Sequence, residues 1–409
     1  MLRETRIRAV VLTVRYGVRA SYYDDWVDAF GSSPHFTMAA FNLFSRAERR
    51  AAIRAVRDAE LVVALHPCSA DTLRYIDPLR AALKDRRGRL LVLVGNEYNL
   101  PWIRLADKRE FLRDVGADWV GTQLPLEAGE WLYRDTGAAV LAVPHAANER
   151  VFRRDKPAET RAIDLGARSF RYPVYLGDDQ RNRVYDLFAR LGPAAGLRVD
   201  IANDRRLDRT EWAVFLNDCR GTIGSEAGTW YLERDDRTAL AIREFLRERS
   251  GGPVIEADGW LHAAVRRLPY GVKAGLRALQ RRSPLRHEAF EADEDDFAEV
   301  QAKFFAGQPR CPAYSKCISS RHFEAAATGT CQLLIRGRYN DVLIPDEHFI
   351  SLQSDLADAP QALARFLDPT ERERVAAAAH DLVHDAHTYR HRLAALHAAV
   401  SAGPPFRAD

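Results

Sequence analysis

A short segment in the C-terminal third holds two basic residues and a carboxylate close together. Arg321, His322 and Glu324 stand at the start of an alanine-rich run that ends at Gly329. The first-turn amides of a helix face anions, and a carboxylate near them can accept hydrogen bonds from two hydroxyl groups, as in a ribose. The segment therefore predicts a site for a phosphorylated nucleoside. The alternative is an ordinary helix whose first-turn Glu suits the helix dipole.

The N-terminal half places other polar candidates after predicted strands. Gly17 follows the first strand, where a glycine permits close approach of the backbone to a ligand. His66 ends the third strand, and Asn96 and Glu97 follow the fourth. Glu97 could act as a general base that deprotonates a hydroxyl group. Its alternative role is to cap the next helix or to pair with Arg104.

The elements that must position these residues alternate between strand and helix. In the first third, the apolar patterns predict strands at 9–14, 36–44, 61–65, 90–94, 118–122 and 138–143. Helices are predicted between them at 22–30, 46–58, 71–84, 108–115 and 126–136. This rhythm indicates a parallel sheet covered by helices on both faces, and such sheets bind ligands beyond the carboxyl ends of their strands.

A second unit of the same kind follows a polar stretch. We predict a domain at 1–148, a linker at 149–161, a second domain at 162–380 and a final segment, 381–409, that packs back on the first domain. In the second unit we expect a short strand at 174–176 and one long helix at 370–395. The fold class is therefore α/β, with two Rossmann-like αβα domains facing across a cleft and a helical insertion at about 230–300.

The insertion is divided by charge. Residues 259–287 contain seven Lys or Arg and no acid, whereas residues 288–299 contain seven acids and no Lys or Arg. Two solvated helices could pair these charges. A basic amphipathic face could instead meet an anionic membrane or a lipid-linked acceptor, and the third interpretation is a disordered insertion.

Composition excludes several classes of protein. The chain has 409 residues and a net charge of +3, which argues against a dedicated nucleic-acid binder. No apolar run approaches the roughly 18–20 residues that a membrane span needs, and no signal peptide is evident. Five cysteines, of which only Cys311 and Cys317 are close, indicate a reducing compartment without a zinc site or disulfide. We therefore expect a cytoplasmic protein.

Several segments together resemble a known family. Glu-Ala-Ala-Ala-Thr-Gly-Thr at 324–330 is similar to a segment of GT-B glycosyltransferases, in particular the group 1 and CgeB-like families. Residues 345–352, 368–374 and 387–392 follow in the order of that family, and residues 143–148 look like its interdomain crossing. The resemblance covers most of the chain and is sharp over about 319–395.

The resemblance implies transfer of a sugar from a nucleotide-sugar donor to an acceptor. The donor would lie against the C-terminal domain, with Glu324 holding its ribose, and the acceptor against the N-terminal one. Thr328, Gly329 and Thr330 would be packing and turn residues behind Glu324. Retaining members often carry a second Glu eight residues upstream, where this chain has Lys316. The stereochemistry is therefore open, and Lys316 could instead contact a donor phosphate.

Two further groups could bind the donor. Gly224, Glu226, Gly228 and Thr229 form a glycine-rich turn whose amides could make an anion nest, with Glu226 facing the sugar; a simple tight turn is the alternative. A second group comprises the arginines 171, 181 and 183, one of which could clamp the diphosphate and stabilise the leaving nucleotide. The ordinary role of a surface arginine is the alternative for each of the three, and Arg183 is favoured among them.

Pairs of aspartates at 24–25, 178–179 and 235–236 could hold a divalent ion on a diphosphate. The inferred fold usually neutralises that charge with helix amides and basic side chains, so we expect no metal and no cofactor. The expected partners are a nucleotide-sugar donor and a sugar, lipid-linked or small-molecule acceptor, with peripheral membrane contact through 260–287. The alternative functions are a nucleotide-sugar epimerase and a non-catalytic interaction protein. The chain lacks the glycine fingerprint of a dinucleotide oxidoreductase.

Overall fold

The backbone forms two parallel sheets, one in each half of the chain. The computed structural model describes residues 6–15, 21–202, 206–249 and 294–403, with short pieces between 254 and 287. The first sheet has six strands in the order β2-β1-β3-β4-β5-β6. These strands are β1 (Ile7–Thr13), β2 (Phe36–Asn42), β3 (Leu61–Ala64), β4 (Arg89–Leu93), β5 (Trp119–Thr122) and β6 (Ala139–Ala142).

Helices cover both faces of this first sheet. They are α1 (Ser21–Ser32), α2 (Arg46–Arg57), α3 (Arg80–Lys84), α4 (Leu105–Asp114) and α5 (Leu126–Tyr133). β3 is buried along its whole length, as its run of apolar residues predicts for a central parallel strand. α2 begins where the Ser45 side chain accepts a hydrogen bond from the Glu48 amide.

The second sheet has five strands in the order β15-β14-β9-β7-β8. They are β7 (Ile163–Arg168), β8 (Val199–Ala202), β9 (Cys219–Gly224), β14 (Cys331–Ile335) and β15 (Ile350–Leu352). Two short ladders pair β10 (Ala227–Gly228) with β13 (Lys316–Cys317), and β11 (Val254–Ile255) with β12 (Arg286–His287). The helices are α6 (Gln180–Ala194), α7 (Arg209–Asp218), α8 (Arg237–Arg249), α9 (Glu294–Val300), α10 (Ser320–Ala327), α11 (Ala359–Leu367), α12 (Pro369–Ala386) and α13 (Tyr389–Ala402).

The end of the chain returns to the first domain. The Ala147 amide donates to the His387 carbonyl (3.0 Å), and the Tyr389 amide donates to the Ala147 carbonyl (3.1 Å). The Tyr389 ring then packs against Trp26 of α1, with 5.0 Å between the ring centroids. The prediction of one helix at 370–395 is wrong, because this contact with the interdomain crossing separates α12 from α13.

Two other element predictions are wrong for local reasons. The helix predicted at 71–84 is reduced to α3, preceded by a 3-10 turn at Asp77–Leu79, since Pro78 lacks the amide that a continuous helix would need there. The strand predicted at 174–176 is also a 3-10 turn. It follows Pro173 and ends at Gly177, whose φ of +60° is left-handed.

The expected fold class is confirmed: two Rossmann-like αβα units face each other in the GT-B arrangement. α8 and α9 supply helical flanks of the insertion, most of which lies outside the described residues. The domain limits stay predictions. No helix in the described part of the chain is long and apolar enough to cross a membrane.

Candidate functional site

A pocket lies at the carboxyl edge of the second sheet, where open parallel sheets bind ligands. Strand ends β7, β9 and β14 and the starts of α6, α7 and α10 contribute to it. Its lining residues are Arg168, Arg181, Tyr185, Trp212, Thr222, Ile223, Gly224, Ser225, Ser319, Arg321, His322, Gln332 and Leu334. The pocket is therefore built from residues that span most of the second unit, including four cationic or imidazole side chains.

Two arginines in the pocket have no acid partner among the residues that the structure describes. The Arg181 guanidinium lies 4.0 Å from the centre of the Tyr172 ring, and Arg321 donates to the Arg168 carbonyl at 3.3 Å. Within the described residues, no carboxylate forms an ion pair with Arg181 or Arg321. Burial, and then repulsion from Arg181, lowers the pKa of Arg321. Two uncompensated like charges in a cavity favour an anionic ligand.

The third arginine in the pocket is neutralised. Arg168 donates to the Asp200 carboxylate at 2.6 Å and lies over the Phe215 ring. Gln332, which also lines the pocket, is buried, and its Oε1 atom has no hydrogen-bond partner among the described residues. A buried acceptor without a donor costs free energy, so a ligand that donates to Gln332 would be stabilised.

The start of α10 forms one wall of the pocket. The Ser319 amide donates to His322 Nδ1 at 3.0 Å, so His322 completes a capping box. Burial, together with Arg321 and Arg181, lowers the pKa of His322 to about 3. The ring is thus neutral near pH 7, which corrects the expectation that both Arg321 and His322 add positive charge here. As predicted, Gly329 follows α10 with a left-handed φ of +63°.

Glu324 is buried next to the pocket. The Trp212 indole, which lines the pocket, donates to Glu324 Oε2 at 2.7 Å. Asp25 of the first domain lies close enough for Glu324 to raise its pKa. Burial is the larger cause, and the pKa of Asp25 rises to about 7 even though it accepts hydrogen bonds from Asn148 and Arg209. The two carboxylates meet where the domains touch.

The glycine-rich turn divides between the pocket and the structure around it. Gly224 lines the pocket, but Glu226 does not. Glu226 is buried and accepts hydrogen bonds from the Tyr314 hydroxyl (2.5 Å) and the Tyr339 amide (2.7 Å). Gly228 has φ +93° where it pairs with Lys316, and the Thr229 hydroxyl donates to the Leu176 carbonyl at 2.5 Å. These contacts fix neighbouring segments of the chain. They do not form the donor-binding nest that was expected of Glu226, Gly228 and Thr229.

The arginine favoured from the sequence lies outside the pocket. Arg183 is 44% exposed and pairs with Asp179 at 3.0 Å, and Arg171 pairs with Asp186. Arg181, on the same helix, lines the pocket instead. The expectation for Arg183 is corrected because residues two apart on a helix point to opposite sides.

Lys316 also lies away from the pocket. Its ammonium group is buried and donates to Asp178 Oδ2 (2.8 Å) and Gln180 Oε1 (2.5 Å). The charge is therefore already neutralised by a carboxylate. This geometry argues against the expectation that Lys316 contacts a donor phosphate.

Glu97 of the first domain is buried and fully hydrogen-bonded. It accepts from the Thr122 hydroxyl (2.7 Å), the Gln123 amide (2.7 Å) and the Tyr133 hydroxyl (2.8 Å). Burial raises its pKa, and these bonds oppose that rise. The alternative pairing with Arg104 is wrong, since Arg104 binds Asp107.

Asn96 and its neighbours are held by buried contacts. Asn96 has a left-handed φ of 51° and donates to the Ala70 carbonyl and to Asp71. The buried Lys108 ammonium donates to the Gly95 and Asn96 carbonyls at 2.7 and 2.8 Å. These bonds fix the loop after β4 at the edge of the sheet.

His66 sits in a cluster of rings at the same edge. Its ring centroid is 4.6 Å from His145, 5.5 Å from Trp26 and 6.3 Å from Tyr22. Burial lowers its pKa, and neither ring nitrogen has a hydrogen-bond partner within the described part of the chain. The cluster is a candidate for the acceptor side of the site. Gly17 lies outside the described residues.

Comparison with known proteins adds one match in sequence. Residues 298–398 match the family model described as glycosyl transferase-like. This segment contains Ser319, Arg321, His322, Gln332 and Leu334 of the pocket. No curated protein matches the sequence.

Solved structures with similar shape are distant in sequence. Anabaena HepE in complex with UDP and glucose is 11% identical, with 97% of this chain and 100% of that chain covered and a TM-score of 0.48. Sucrose-phosphate synthase from Thermosynechococcus elongatus is 13% identical over 97% and 100% of the two chains, with a TM-score of 0.47. An alpha-glucosyltransferase in complex with UDP is 12% identical over 95% and 98%, with a TM-score of 0.46.

Sequence reasoning missed most residues of the pocket, Arg168, Trp212 and Gln332 among them. Arg168 and Gln332 lie in strands that are buried almost throughout, and such strands give no sign that a polar side chain faces a ligand. Trp212 lies in α7, and its indole N–H is a donor that needs a hydrogen-bond partner when it is buried. Among the residues that the structure describes, no group of three or more His, Cys, Asp or Glu side chains could hold a metal ion.

Proposed function

We propose that this protein is a glycosyltransferase that moves a sugar from a nucleotide-sugar donor to an acceptor hydroxyl. The observation that carries the proposal is the pair Arg181 and Arg321, which share a pocket and have no carboxylate partner in the described residues. The match of residues 298–398 to a glycosyl transferase-like family supports it independently, because that segment supplies Arg321 and the start of α10.

The donor diphosphate would lie between the two guanidinium groups and the first turn of α10. Charge develops on the leaving nucleoside diphosphate as the glycosidic bond breaks, and fixed cations and helix amides stabilise that charge. Fixed arginines can fill the role that a divalent ion has in other enzymes of this kind. We therefore propose transfer without a metal ion and without a cofactor.

Glu324 would hold the donor ribose. One of its oxygens accepts from Trp212, which orients the carboxylate beside the pocket. A carboxylate is an acceptor suited to hydrogen bonds from sugar hydroxyls. The unpartnered Gln332 Oε1 offers a further acceptor to the same ligand.

The acceptor would lie against the first domain, near Tyr22, His66 and Asn96. The His66 ring has two nitrogens without partners in the described residues, whereas Glu97 already accepts three hydrogen bonds. The identity of the sugar, the base and the acceptor is left open in this proposal. A cytoplasmic location and membrane contact through 260–287, which falls largely outside the described residues, stay predictions.

A thermal-shift screen tests the proposal. The purified protein is heated with UDP, GDP, dTDP, CDP or NAD, beside the variants Glu324→Ala and Glu324→Gln. A nucleotide at 100 times its dissociation constant should add about 2.7 kcal/mol to the free energy of unfolding. We expect a shift with one nucleoside diphosphate that Glu324→Ala removes and Glu324→Gln reduces.

Other outcomes would redirect the proposal. A shift with NAD alone would contradict it. A nucleotide-sugar that is converted without any acceptor would favour an epimerase. If a folded sample shows no shift with any nucleotide, the proposal fails and an interaction protein becomes the better account.

A further inference from the structure

Three consecutive residues adopt a left-handed backbone between β14 and β15. Tyr339, Asn340 and Asp341 have φ angles of 46°, 55° and 58°, and none of them is glycine. L-residues enter this region singly, because Cβ crowds the following carbonyl oxygen. A run of three is strained, and strain of this kind persists only where surrounding contacts fix it.

The second domain holds one side of this left-handed turn. The Tyr339 amide donates to Glu226 Oε1 at 2.7 Å, and the Tyr339 hydroxyl donates to the Ile335 carbonyl at 2.7 Å. The Tyr339 ring meets His322, a lining residue of the pocket, edge to face with 5.1 Å between centroids. Gly337 is so close to Glu226 that a Cβ there would lie 2.2 Å from its carboxylate oxygen. The turn is therefore packed directly behind the pocket.

The first domain holds the other side. The Asn340 carboxamide donates to the Gln123 carbonyl at 3.0 Å and accepts from the Ile318 amide at 2.8 Å. Arg338, just before the turn, pairs with Glu127 of α5. The Asn340 side chain thus bonds to both domains from a backbone that is left-handed.

The contact reaches the edge of the first sheet where the acceptor would lie. Gln123, whose carbonyl accepts from Asn340, uses its own amide to donate to Glu97 at 2.7 Å. Its side chain donates to the Val94 carbonyl at the end of β4. A continuous set of contacts therefore runs from His322 in the pocket, through the turn, to the loops that follow β4 and β5.

We propose that Asn340 is a positioning residue that sets the acceptor-side loops of the first domain relative to the donor pocket. Its role in transfer rests on the proposed function. The positional role itself rests on the geometry and is measured without any substrate. The buried Glu226, singled out in the sequence as a sugar contact, then serves to hold the turn.

Two variants separate the contacts of Asn340. Asn340→Asp tolerates the left-handed backbone and still accepts from Ile318, but it loses the N–H that reaches Gln123. Asn340→Gly also keeps the backbone and loses both bonds. Asn217→Asp is the matched control, because Asn217 is buried, accepts from the Asp155 amide and donates to the Arg153 and Ala213 carbonyls. Its bonds do not touch the first sheet.

Hydrogen–deuterium exchange of the nucleotide-free protein is the first readout. We expect Asn340→Asp to speed exchange in peptides covering 94–99 and 121–124 roughly fivefold, the equivalent of one hydrogen bond. Asn340→Gly should have at least the same effect, and Asn217→Asp should leave those peptides unchanged. Unchanged exchange in Asn340→Asp and Asn340→Gly would overturn the proposal, whatever the nucleotide screen shows.

Kinetics with the nucleotide-sugar found by the screen is the second readout. A positioning role predicts that kcat for transfer falls roughly fivefold or more in Asn340→Asp, while donor affinity stays as in the native protein. An equal loss of donor affinity in Asn340→Asp would instead indicate collapse of the pocket and contradict the proposal.

Discussion

Two sites with buried charge, one in each domain, are arranged in opposite ways. In the second domain, Arg181 and Arg321 share a pocket without a carboxylate partner in the described residues. In the first domain, the buried Glu97 accepts three hydrogen bonds from its own domain. Uncompensated charge in a cavity indicates a ligand, whereas a satisfied charge indicates structure. The contrast teaches that burial alone does not identify a binding residue.

The largest effect expected from this comparison is loss of nucleotide binding on removal of a pocket arginine. Arg181→Ala or Arg321→Ala should weaken a nucleoside diphosphate roughly 10- to 100-fold, since a hydrogen bond to a charged group contributes about 1.5–3 kcal/mol. Titration calorimetry measures the affinity. Unchanged affinity in both variants would remove the contrast between the domains.

Glu97→Gln tests the buried charge of the first domain, which already has hydrogen-bond partners. Glutamine has one acceptor oxygen, and its amide nitrogen only donates, so it cannot satisfy all three donors and the free energy of unfolding should fall by about 1–3 kcal/mol. Chemical denaturation checks the loss, and nucleotide affinity should not change. If stability is preserved but transfer is lost, Glu97 is the general base after all, and our assignment of it to structure is wrong.

Asp25 sharpens the comparison at the contact between the domains. Its pKa is raised to about 7, chiefly by burial, so the folded state holds a proton that the unfolded state releases. The stabilisation that comes from this proton is fully present below the pKa of Asp25 in the unfolded chain, and it is lost as the pH rises through 7. Between pH 6 and 8, ionisation of this single group should lower the free energy of unfolding by about 1.4 kcal/mol.

The pH effect at Asp25 is measured against Asp25→Asn. Denaturation of both proteins at pH 6, 7 and 8 gives the difference in their slopes. We expect the native protein to lose more stability than the variant over this interval. Parallel slopes would show that Asp25 is already ionised at pH 6.

The smallest effect is expected at Arg183. It is partly exposed and bound to Asp179, so Arg183→Ala should change the free energy of unfolding by no more than about 0.5 kcal/mol. Nucleotide affinity should equal that of the native protein. Melting and calorimetry on this variant, side by side with Arg181→Ala, show whether the pocket or the surface arginine binds the diphosphate.

Local patterns were enough to predict much of the fold. Continuous apolar runs predicted β3 and β4, and the alternation of strands and helices predicted the two parallel sheets. The segment around Arg321 and Glu324 was also found, because its chemistry lies within one helix. Each of these features depends on residues that are neighbours in the sequence.

The rest depends on contacts between distant parts of the chain. The donors to Glu97 come from Thr122 and Tyr133, 25 and 36 residues away. Arg181 and Arg183 differ only in which side of α6 faces the pocket, and that rotation is set by packing. The break between α12 and α13 likewise follows from the contact of His387 with Ala147.

The central claim is that the pocket of the second domain binds a diphosphate through its unpaired arginines. Calorimetric titration of the nucleoside diphosphate found by the screen, beside its parent nucleoside, tests this directly. The claim predicts that the diphosphate binds roughly 100-fold more tightly than the nucleoside, and that Arg181→Ala removes most of that difference. Equal affinities of the two ligands, or a ratio that Arg181→Ala leaves intact, would contradict it.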